Sequence, residues 1–297
     1  MSEIGYELLD FGQGRKLECV DGVRLDRPSP PAEPFEMRLP PSEWSRVHGQ
    51  FRRSDGLRGS WRWKAERPRK VWALKTAHFS LELKPTEVGH LGIFPEQAPN
   101  WEWIYEQTKF FLERRSAFRV LNLFAYTGGS TLASAAAMSA AGKTSDDAER
   151  FFTAHVDSAK NIVQWARANA ELSGLTGAPI RWIGEDAVRF VQRELKRGRT
   201  YDAVILDPPS YGHGTRGEVW KLEQNLPELL DLCAELIAAS PAFVLLTAHS
   251  PGLDARELER ILRQHFPRGG ESEAYPMELR TKSGRILPSG MAARMAW

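Results

Sequence analysis

The chain has 297 residues, 42% hydrophobic and 26% charged, which is an ordinary composition for a globular protein with a core of normal size. Its formal net charge of +2 excludes no class of partner, but only two cysteines, Cys19 and Cys233, exclude a disulfide framework or a cysteine-rich metal site. The opening MSEIGYELLDFGQG lacks the apolar core of a signal peptide, and no apolar run approaches the roughly 20 residues of a membrane helix. We therefore expect a cytoplasmic protein without a membrane partner.

The first 60 or so residues are rich in proline and glycine, and their apolar runs are short. This pattern predicts a small β-rich appendage of short strands and loops. The stretch from Arg52 to Lys75 carries nine basic residues against Asp55 and Glu66, a local charge of 9 − 2 = +7, with three tryptophans among them: Trp61, Trp63 and Trp72. Charge runs are usually solvated surface, but basic side chains with interleaved rings also suit RNA phosphates and bases, and we favour RNA contact.

A predicted pair of strands and a predicted helix follow this region. The segment KVWALKTAHFSLELKP, followed by GHLGIFPEQ, predicts paired strands within residues 70–95. The segment NWEWIYEQTKFFLERR then predicts a helix capped by Asn100, because its apolar residues recur at helical spacing: Trp101, Ile104, Tyr105, Thr108, Phe111 and Leu112.

From Arg119 onward, strand and helix patterns alternate. The predicted strands are RVLNLFA, FFTAHVD, PIRWIG, YDAVILD and PAFVLLTAH, with two closing strands near ESEAYPMEL and GMAARMAW. The predicted helices begin near Ser130, Ser158, Asp186, Gly217 and Asp254. This alternation indicates an α/β fold with a mostly parallel sheet and helices on both faces.

A sheet of this kind binds ligands beyond the carboxyl ends of its strands. The first strand ends in FAYTGG, the second at Asp157, and the third leads to Asp186. An acid after the second strand suits a ribose, but the G-x-G-x-x-G and G-K-[ST] patterns of phosphate binding are missing, which disfavours a dehydrogenase. A ligand with ribose and adenine but no phosphate fits better, and S-adenosylmethionine (SAM) is one. Its amino-acid end would lie along Gly128 and Gly129, although a tight turn and two helix caps would also explain these residues.

The fourth strand leads into DPPSYGHG. Pro208 and Pro209 stiffen the backbone, so that carbonyls and the Asp207 side chain can accept hydrogen bonds from a flat substrate's amino group, and Tyr211 offers a ring for stacking. The nearby His213 is predicted to contact substrate, with a solvated loop histidine as the alternative. His249, at the end of the fifth strand, is predicted to have no role in the site.

These motifs resemble the class I SAM-dependent methyltransferases, and within them the group that includes bacterial 23S ribosomal RNA methyltransferases. VLNLFAYTGGSTLAS resembles the group's first motif, ILDPPSYGHG its D-P-P-x-[FY] motif, GHLGIFPEQAPNW the segment before its first helix, and ILPSGMAARMAW a closing segment. The resemblance covers about residues 70–297. It implies a Rossmann-like methyltransferase fold with a mostly parallel seven-stranded sheet, in addition to the β-rich appendage.

The resemblance also implies roles for individual residues. The cofactor-binding set is Phe94, Gln97, Asn100, Phe124, Ala125, Tyr126, Thr127, Gly128, Gly129, Asp157, Ser158, Asp186 and Ala187. The methyl-acceptor lip, the catalytic set, is Asp207, Pro208, Pro209 and Tyr211, with Ser210 and His213 contacting substrate and no metal site. Phe94, Gln97 and Asn100 would close the cofactor pocket, with packing and helix capping as the alternatives.

The expected function is in-line methyl transfer from SAM to a base in RNA, with large-subunit ribosomal RNA as the expected partner and S-adenosylhomocysteine as the product. A methyltransferase of a small molecule or protein, and a non-catalytic module that binds SAM or RNA, remain alternatives. We expect an appendage at 1–68, a hairpin and linking segment at 69–100, and the methyltransferase domain at 101–297. The sequence leaves open whether the protein forms a homo-oligomer.

Cysteine-mediated methylation of cytosine C5 has little support from the sequence. Such a route needs a thiolate beside the acceptor lip. Cys19 lies in the appendage, and Cys233 falls on an apolar helix face with Leu222, Leu226, Leu229, Leu230 and Ile237, which indicates a core position.

Overall fold

The chain forms two compact units: Met1–Ala98 with Glu278–Ser289, and Pro99–Met277 with Gly290–Trp297. The computed structural model describes residues 5–55, 58–64, 72–213, 219–237, 239–250, 252–266 and 269–297. Residues 278–289, which the sequence-based division places at 101–297, group with the first unit. The functional division at 68 and 100 stays a prediction.

The first unit is built on a five-stranded sheet. The strands lie in chain order, and all neighbours are antiparallel except β3 and β4, which run parallel. Alternate residues such as Leu17, Leu25 and Phe51 are fully buried and form the unit's core. The predicted β-rich appendage is confirmed; its elements are β1 (Tyr6–Gly12), β2 (Arg15–Val20), β3 (Val23–Pro28), the short helix α1 (Pro41–Ser45), β4 (Gly49–Asp55) and β5 (Arg58–Trp63).

The paired strands predicted within residues 70–95 are present but short. They form the antiparallel hairpin β6 (Ala73–Lys75) and β7 (Ser80–Glu82). The Thr76 hydroxyl oxygen accepts hydrogen bonds from the backbone N–H groups of His78 and Phe79, at 3.2 and 3.0 Å. This side-chain turn ends β6 early, because the backbone donors bond to Thr76 instead of to a partner strand.

The second unit carries the strand–helix alternation that the sequence predicts. Its elements are α2 (Ala98–Leu112), β8 (Phe118–Leu123), α3 (Gly129–Ala140), β9 (Phe151–Asp157), α4 (Lys160–Leu172), β10 (Ile180–Gly184), α5 (Ala187–Lys196), β11 (Ala203–Leu206), β12 (Tyr211–His213), β13 (Val219–Lys221), α6 (Leu222–Leu236), β14 (Phe243–Ala248), α7 (Ala255–His265), β15 (Glu271–Arg280) and β16 (Ile286–Ala296). The end of β15 from residue 278 and the start of β16 up to residue 289 group with the first unit.

The large sheet has seven strands in the order β10-β9-β8-β11-β14-β16-β15. The first five are parallel, and β16 runs antiparallel to β14. The order reverses direction between β8 and β11, which are neighbours in the sheet although the chain visits β9 and β10 between them. Such a switch point leaves a crevice at the carboxyl ends of the strands. The predicted mostly parallel seven-stranded sheet is confirmed.

Two helix starts differ from the prediction. Helix α2 begins at Ala98, so Asn100 is its third residue and not its cap; its buried side chain donates from Nδ2 to the Met277 sulfur at 3.5 Å. Proline is favoured in the first turn of a helix, and with Pro99 there α2 begins three residues before Trp101, the first residue predicted after the cap. Helix α6 begins at Leu222 rather than near Gly217, because the hairpin β12–β13 occupies residues before it.

The main core of the second unit packs helices α5, α6 and α7 against the sheet. Cys233 is fully buried there, as the helical spacing predicts, together with the four predicted leucines of α6 and Ile237 just after it. Within the described ranges no helix is long and apolar enough to cross a membrane, and no group of three or more His, Cys, Asp or Glu side chains could hold a metal ion.

Candidate functional site

The segment between β8 and α3 turns sharply at the switch point of the sheet. Its backbone is left-handed at Phe124 (φ +55°), Tyr126 (φ +47°) and Gly128 (φ +96°). Left-handed backbone is costly for residues other than glycine, so the surroundings must hold it in place. The Asn169 side chain of α4 does so by donating from Nδ2 to the Thr127 carbonyl at 2.8 Å, and the Ala125 N–H donates to the Val156 carbonyl at 3.1 Å.

The two glycines of this turn have different structural reasons. Gly128 is the N-cap of α3 and needs its positive φ; an added Cβ would also lie 3.3 Å from the Ala166 Cβ. A Cβ on Gly129 would lie 2.7 Å from the indole ring of Trp101, so Gly129 gives α2 room to pack against α3. A tight turn, the alternative interpretation, therefore explains part of the motif. Because neither glycine carries a side chain, a ligand can still approach the backbone of the turn closely.

Asp157 ends β9 beside the glycine turn. Its Oδ2 accepts a hydrogen bond from the Tyr126 N–H and its Oδ1 accepts one from the Ala159 N–H, both at 2.9 Å. Burial raises the pKa of this carboxyl, and the two backbone donors oppose that rise. Each carboxylate oxygen retains a second lone pair, so Asp157 could accept both hydroxyl hydrogens of a ribose without loss of either backbone contact.

The third predicted contact lies at the end of β10. Asp186 is the N-cap of α5, and its Oδ1 accepts from the Arg189 N–H at 3.0 Å. Ala187 is the first residue of that helix and is buried, and Ser158 is half-buried after β9. Asp186 thus caps a helix, which was the alternative interpretation of this residue. One capping contact leaves the other carboxylate oxygen as an acceptor for an adenine amino group.

A buried polar network lies beside the glycine turn. Asn122 of β8 donates from Nδ2 to the Thr131 hydroxyl at 2.9 Å, and this hydroxyl contacts His155 Nδ1, also at 2.9 Å. Burial lowers the pKa of His155 to about 3, so this histidine is neutral near pH 7. The network ties β8, α3 and β9 together where the turn begins.

The acceptor lip begins with Asp207, directly after β11. The Thr247 hydroxyl of β14 donates a short hydrogen bond to Asp207 Oδ1, and His249 Nε2 lies 3.4 Å from the same oxygen. Both Asp207 and His249 remain about one-third exposed. All three residues lie at the carboxyl ends of two neighbouring parallel strands. The Asp207 carboxylate is therefore oriented while it stays accessible to a substrate.

Trp220 of β13 connects the lip to the glycine turn. Its indole N–H donates to the Pro209 carbonyl at 2.7 Å, and its ring centroid lies 5.0 Å from that of Phe124. One side chain therefore contacts the segments that follow β8 and β11. The structure brings the predicted glycine turn, Asp157 and the lip together at the switch point.

The remaining residues of the acceptor lip differ in solvent exposure. Pro208 is buried, Pro209 and Ser210 are exposed, and Tyr211 has 57% of its surface exposed. The Ser210 hydroxyl accepts from the Ser250 hydroxyl at 2.7 Å, which joins the lip to the segment after β14. His213 ends β12, and its side chain lies outside the described part of the structure.

Three residues predicted to close the cofactor pocket precede the other site residues in the chain. Phe94 and Gln97 belong to the first unit, where the Phe94 ring packs edge-on to His90 at 5.4 Å and Gln97 is buried. Asn100 belongs to the second unit, and its side-chain oxygen accepts a short hydrogen bond from the Tyr275 hydroxyl. Their role in closing a cofactor pocket stays a prediction.

The basic stretch is only partly described, because Arg67, Arg69 and Lys70 lie outside the described residues. Its three tryptophans are packed in different ways. Trp72 is buried with its indole N–H on the Val20 carbonyl at 3.3 Å, and Trp61 and Trp63 stack on each other with centroids 5.5 Å apart.

Comparison with known proteins identifies the class. A family profile described as S-adenosylmethionine-dependent methyltransferase matches residues 48–254, which is more than half of the chain. The chain therefore belongs to the SAM-dependent methyltransferase family, and SAM is its cofactor. This agrees with the resemblance inferred from the sequence motifs.

Curated relatives agree with that assignment over part of their length. The chain is 26% identical over 146 residues to ribosomal RNA large subunit methyltransferase K of Neisseria meningitidis, covering 46% of this chain and 38% of the relative. It is 28% identical over 162 residues to ribosomal RNA large subunit methyltransferase I of Aeromonas salmonicida, covering 51% and 37%. The matches thus span less than two-fifths of these relatives.

Solved structures match over the whole chain. A SAM-dependent methyltransferase from Agrobacterium tumefaciens is 33% identical with a TM-score of 0.86, covering 98% of this chain and 90% of that one. A structure from Streptococcus mutans has a TM-score of 0.72 at 14% identity, covering 100% and 76%, and that likeness shows the fold alone.

Sequence reasoning missed three residues of the site: Trp220, Thr247 and His249. Thr247 and His249 lie at the end of β14, which the structure pairs with β11, and no strand order was predicted that would have placed them near Asp207. Trp220 had no signal either, because its segment was predicted to be helical.

Proposed function

We propose that this protein transfers the methyl group of SAM to a base in RNA, with large-subunit ribosomal RNA as the substrate class. The observation that carries the proposal is the acceptor lip at the switch point, where an oriented Asp207 carboxylate and the exposed Tyr211 ring adjoin the glycine turn through Trp220. The names of the curated relatives support ribosomal RNA as the acceptor.

The cofactor would be held by the segments after β8, β9 and β10. The backbone of the glycine turn would take the amino-acid end, Asp157 the ribose hydroxyls, and Asp186 the adenine amino group. When bound, SAM supplies an electrophilic methyl group on a sulfonium. The protein's own task is then to hold the acceptor atom in line and to exclude water.

An exocyclic amine suits the lip best. The Asp207 carboxylate and the Pro208 carbonyl would accept its two hydrogens and direct the nitrogen lone pair toward the cofactor, and Tyr211 would stack on the base. The Pro209 carbonyl already accepts from Trp220, which holds the lip in shape. A ring nitrogen would need positioning alone.

A cysteine nucleophile has no support in either unit. Cys233 is fully buried, and burial raises the pKa of its thiol far above the usual range. Burial also raises the pKa of Cys19, a residue of the first unit. A thiolate, the form needed for attack on cytosine C6, is therefore disfavoured at both positions.

Ribosomal RNA as substrate and two unpaired cysteines favour the cytoplasm as the place of action.

The test offers purified protein and methyl-labelled SAM to total RNA, ribosomal subunits, protein extract and small metabolites, with Asp207→Ala in parallel. Label in ribosomal RNA that falls at least about 100-fold in the variant supports the proposal. Label in protein or metabolites instead contradicts it. SAM binding without label in any pool would favour the non-catalytic module.

A further inference from the structure

The first unit contains a cleft of about 710 Å³ on one face of its five-stranded sheet. This volume is within the range of small-ligand sites. One side of the cleft is the sheet itself, and the other is the segment that runs from Met37 into α1. No residue of the methyl-transfer site lines it.

The sheet side of the cleft is cationic. Antiparallel pairing places Gln50 of β4 opposite Arg62 of β5, and Arg52 opposite Ser60, so these side chains share one face. Arg15 and Lys64 complete the basic set. The acid in the cleft, Asp26, is paired with Arg15 at 2.6 Å.

The basic side chains are available to a ligand. Arg52, Arg62 and Lys64 are exposed, and within the described ranges no carboxylate forms an ion pair with any of them. Lys64 donates to the Ser45 carbonyl at 3.1 Å, and Arg52 donates from Nε to the Gln50 side chain at 2.9 Å. These neutral acceptors orient the cations without cancelling their charge.

The opposite side of the cleft is apolar and firmly anchored. It is formed by Met37, Leu39, Pro41 and Trp44. The buried Asp10 carboxylate holds this wall, because its Oδ2 accepts hydrogen bonds from the backbone N–H of Arg38 (2.9 Å) and Leu39 (2.8 Å) and from the Trp44 indole (3.1 Å). Trp44 is half-buried, so part of its ring faces the cleft.

We propose that this cleft binds a single-stranded segment of the RNA substrate, with phosphates on the arginine side and a base against the apolar wall; the proposal rests on the proposed function. Polyanion binding needs cations without acidic partners, and stacking needs an aromatic face within a nucleotide's reach. An acidic protein segment would use the cations but would leave the apolar wall without a flat partner. The cleft is thus a second substrate-binding site, and it lies on the first unit, whereas the glycine turn belongs to the second.

The experiment measures binding of a fluorescein-labelled 12-nucleotide single-stranded RNA to the full chain by fluorescence anisotropy. Arg52→Ala combined with Arg62→Ala should weaken binding roughly tenfold, and should reduce the slope of log K against log salt by about 1.4, because each lost contact to a single strand accounts for about 0.7. Arg53→Ala is the matched control, since Arg53 adjoins Arg52 but its side chain alternates to the other face of β4.

Three outcomes would overturn the proposal: unchanged RNA binding in the double variant, an equal loss in Arg53→Ala, or equal competition by inorganic polyphosphate of matched charge, which lacks bases. Binding of an acidic peptide in preference to RNA would assign the cleft to a protein partner instead. Methyl transfer to ribosomal RNA is measured in parallel. Wild-type protein that transfers no methyl group to RNA contradicts the proposed function, whereas transfer with an unaffected double variant contradicts the cleft alone.

Discussion

His249 Nε2 lies 3.4 Å from Asp207 Oδ1, across the ends of two neighbouring parallel strands. The imidazole is itself confined, since a Cβ on Gly290 would lie 2.7 Å from His249 Nδ1. The close approach of Gly290 thus fixes the ring that contacts Asp207. In the proposed reaction His249 would act through the Asp207 carboxylate, as a positioning residue.

His249→Ala should lower kcat for methyl transfer about tenfold and leave the KM for SAM unchanged, because the cofactor contacts lie elsewhere. His249→Gln, whose side-chain amide can donate to Asp207, should recover part of the rate. Steady-state kinetics over a range of SAM concentrations checks both.

His265→Ala is the control for that prediction, because His265 pairs with the Asp231 carboxylate at 2.6 Å on a different helix. An equal fall in kcat for both alanine variants would show that His249 acts through general stability only.

Asp157→Asn should weaken SAM binding at least about tenfold, because the amide has one oxygen where the carboxylate offers two. The pKa of Asp157 is raised above its usual value of 3.8 by burial, so wild-type affinity should fall as the pH is lowered toward that raised pKa and the carboxylate is protonated. Calorimetric titration between pH 8 and pH 5 checks the slope. An equally steep slope in the variant would remove Asp157 from the ribose contact.

The alternation of strands and helices, and with it the order of the site segments, was predictable because buried parallel strands are nearly all apolar and end abruptly. β8, β9 and β11 are examples, and each ends within two residues of the predicted position. The glycine turn was recognisable for the same reason: small residues follow the apolar run directly.

Side-chain partnerships were harder to predict. The ring of Trp101 lies against Gly129, and the indole of Trp220 donates to the Pro209 carbonyl. Both contacts join different elements, and periodicity within one element carries no information about such pairs. The cap at Asn100 was wrong because Pro99 supports an earlier helix start. The β12–β13 hairpin was missed because its strands have three residues each, too few to show alternation.

Gly128→Ala should lower the free energy of unfolding by roughly 1–2 kcal/mol, because alanine is strained at a φ of +96°. It should also weaken SAM binding, because the added methyl group, 3.3 Å from the Ala166 Cβ, would displace the turn on which the cofactor is proposed to lie. Gly142→Ala is the matched control, with φ +71° and no atom within 4 Å of the added Cβ. Urea denaturation should give at least as large a loss for Gly128→Ala as for Gly142→Ala, since the Cβ at position 128 also meets Ala166, and SAM titration should separate the two variants. Equal SAM affinity in the two variants would contradict the placement of the cofactor.

His155 should make the protein sensitive to acid. Its pKa is about 3 in the folded chain against 6.5 when free, so the unfolded state binds a proton first, and the stability present above pH 6.5 is lost as the pH falls toward 3. Between pH 8 and pH 5 this group alone accounts for about 2 kcal/mol. His155→Gln should reduce the pH dependence of unfolding by that amount in urea titrations. An unchanged dependence would show that His155 is accessible to protons in the folded state.

The most direct test of the central claim is a single-turnover reaction between methyl-labelled SAM on the protein and large-subunit ribosomal RNA, followed by digestion to nucleosides. The account predicts one labelled nucleoside with the methyl group on its base, and none from Asp207→Ala although that variant still binds SAM. Label on a ribose, or undiminished label from Asp207→Ala, would contradict the assignment of the lip as the acceptor site.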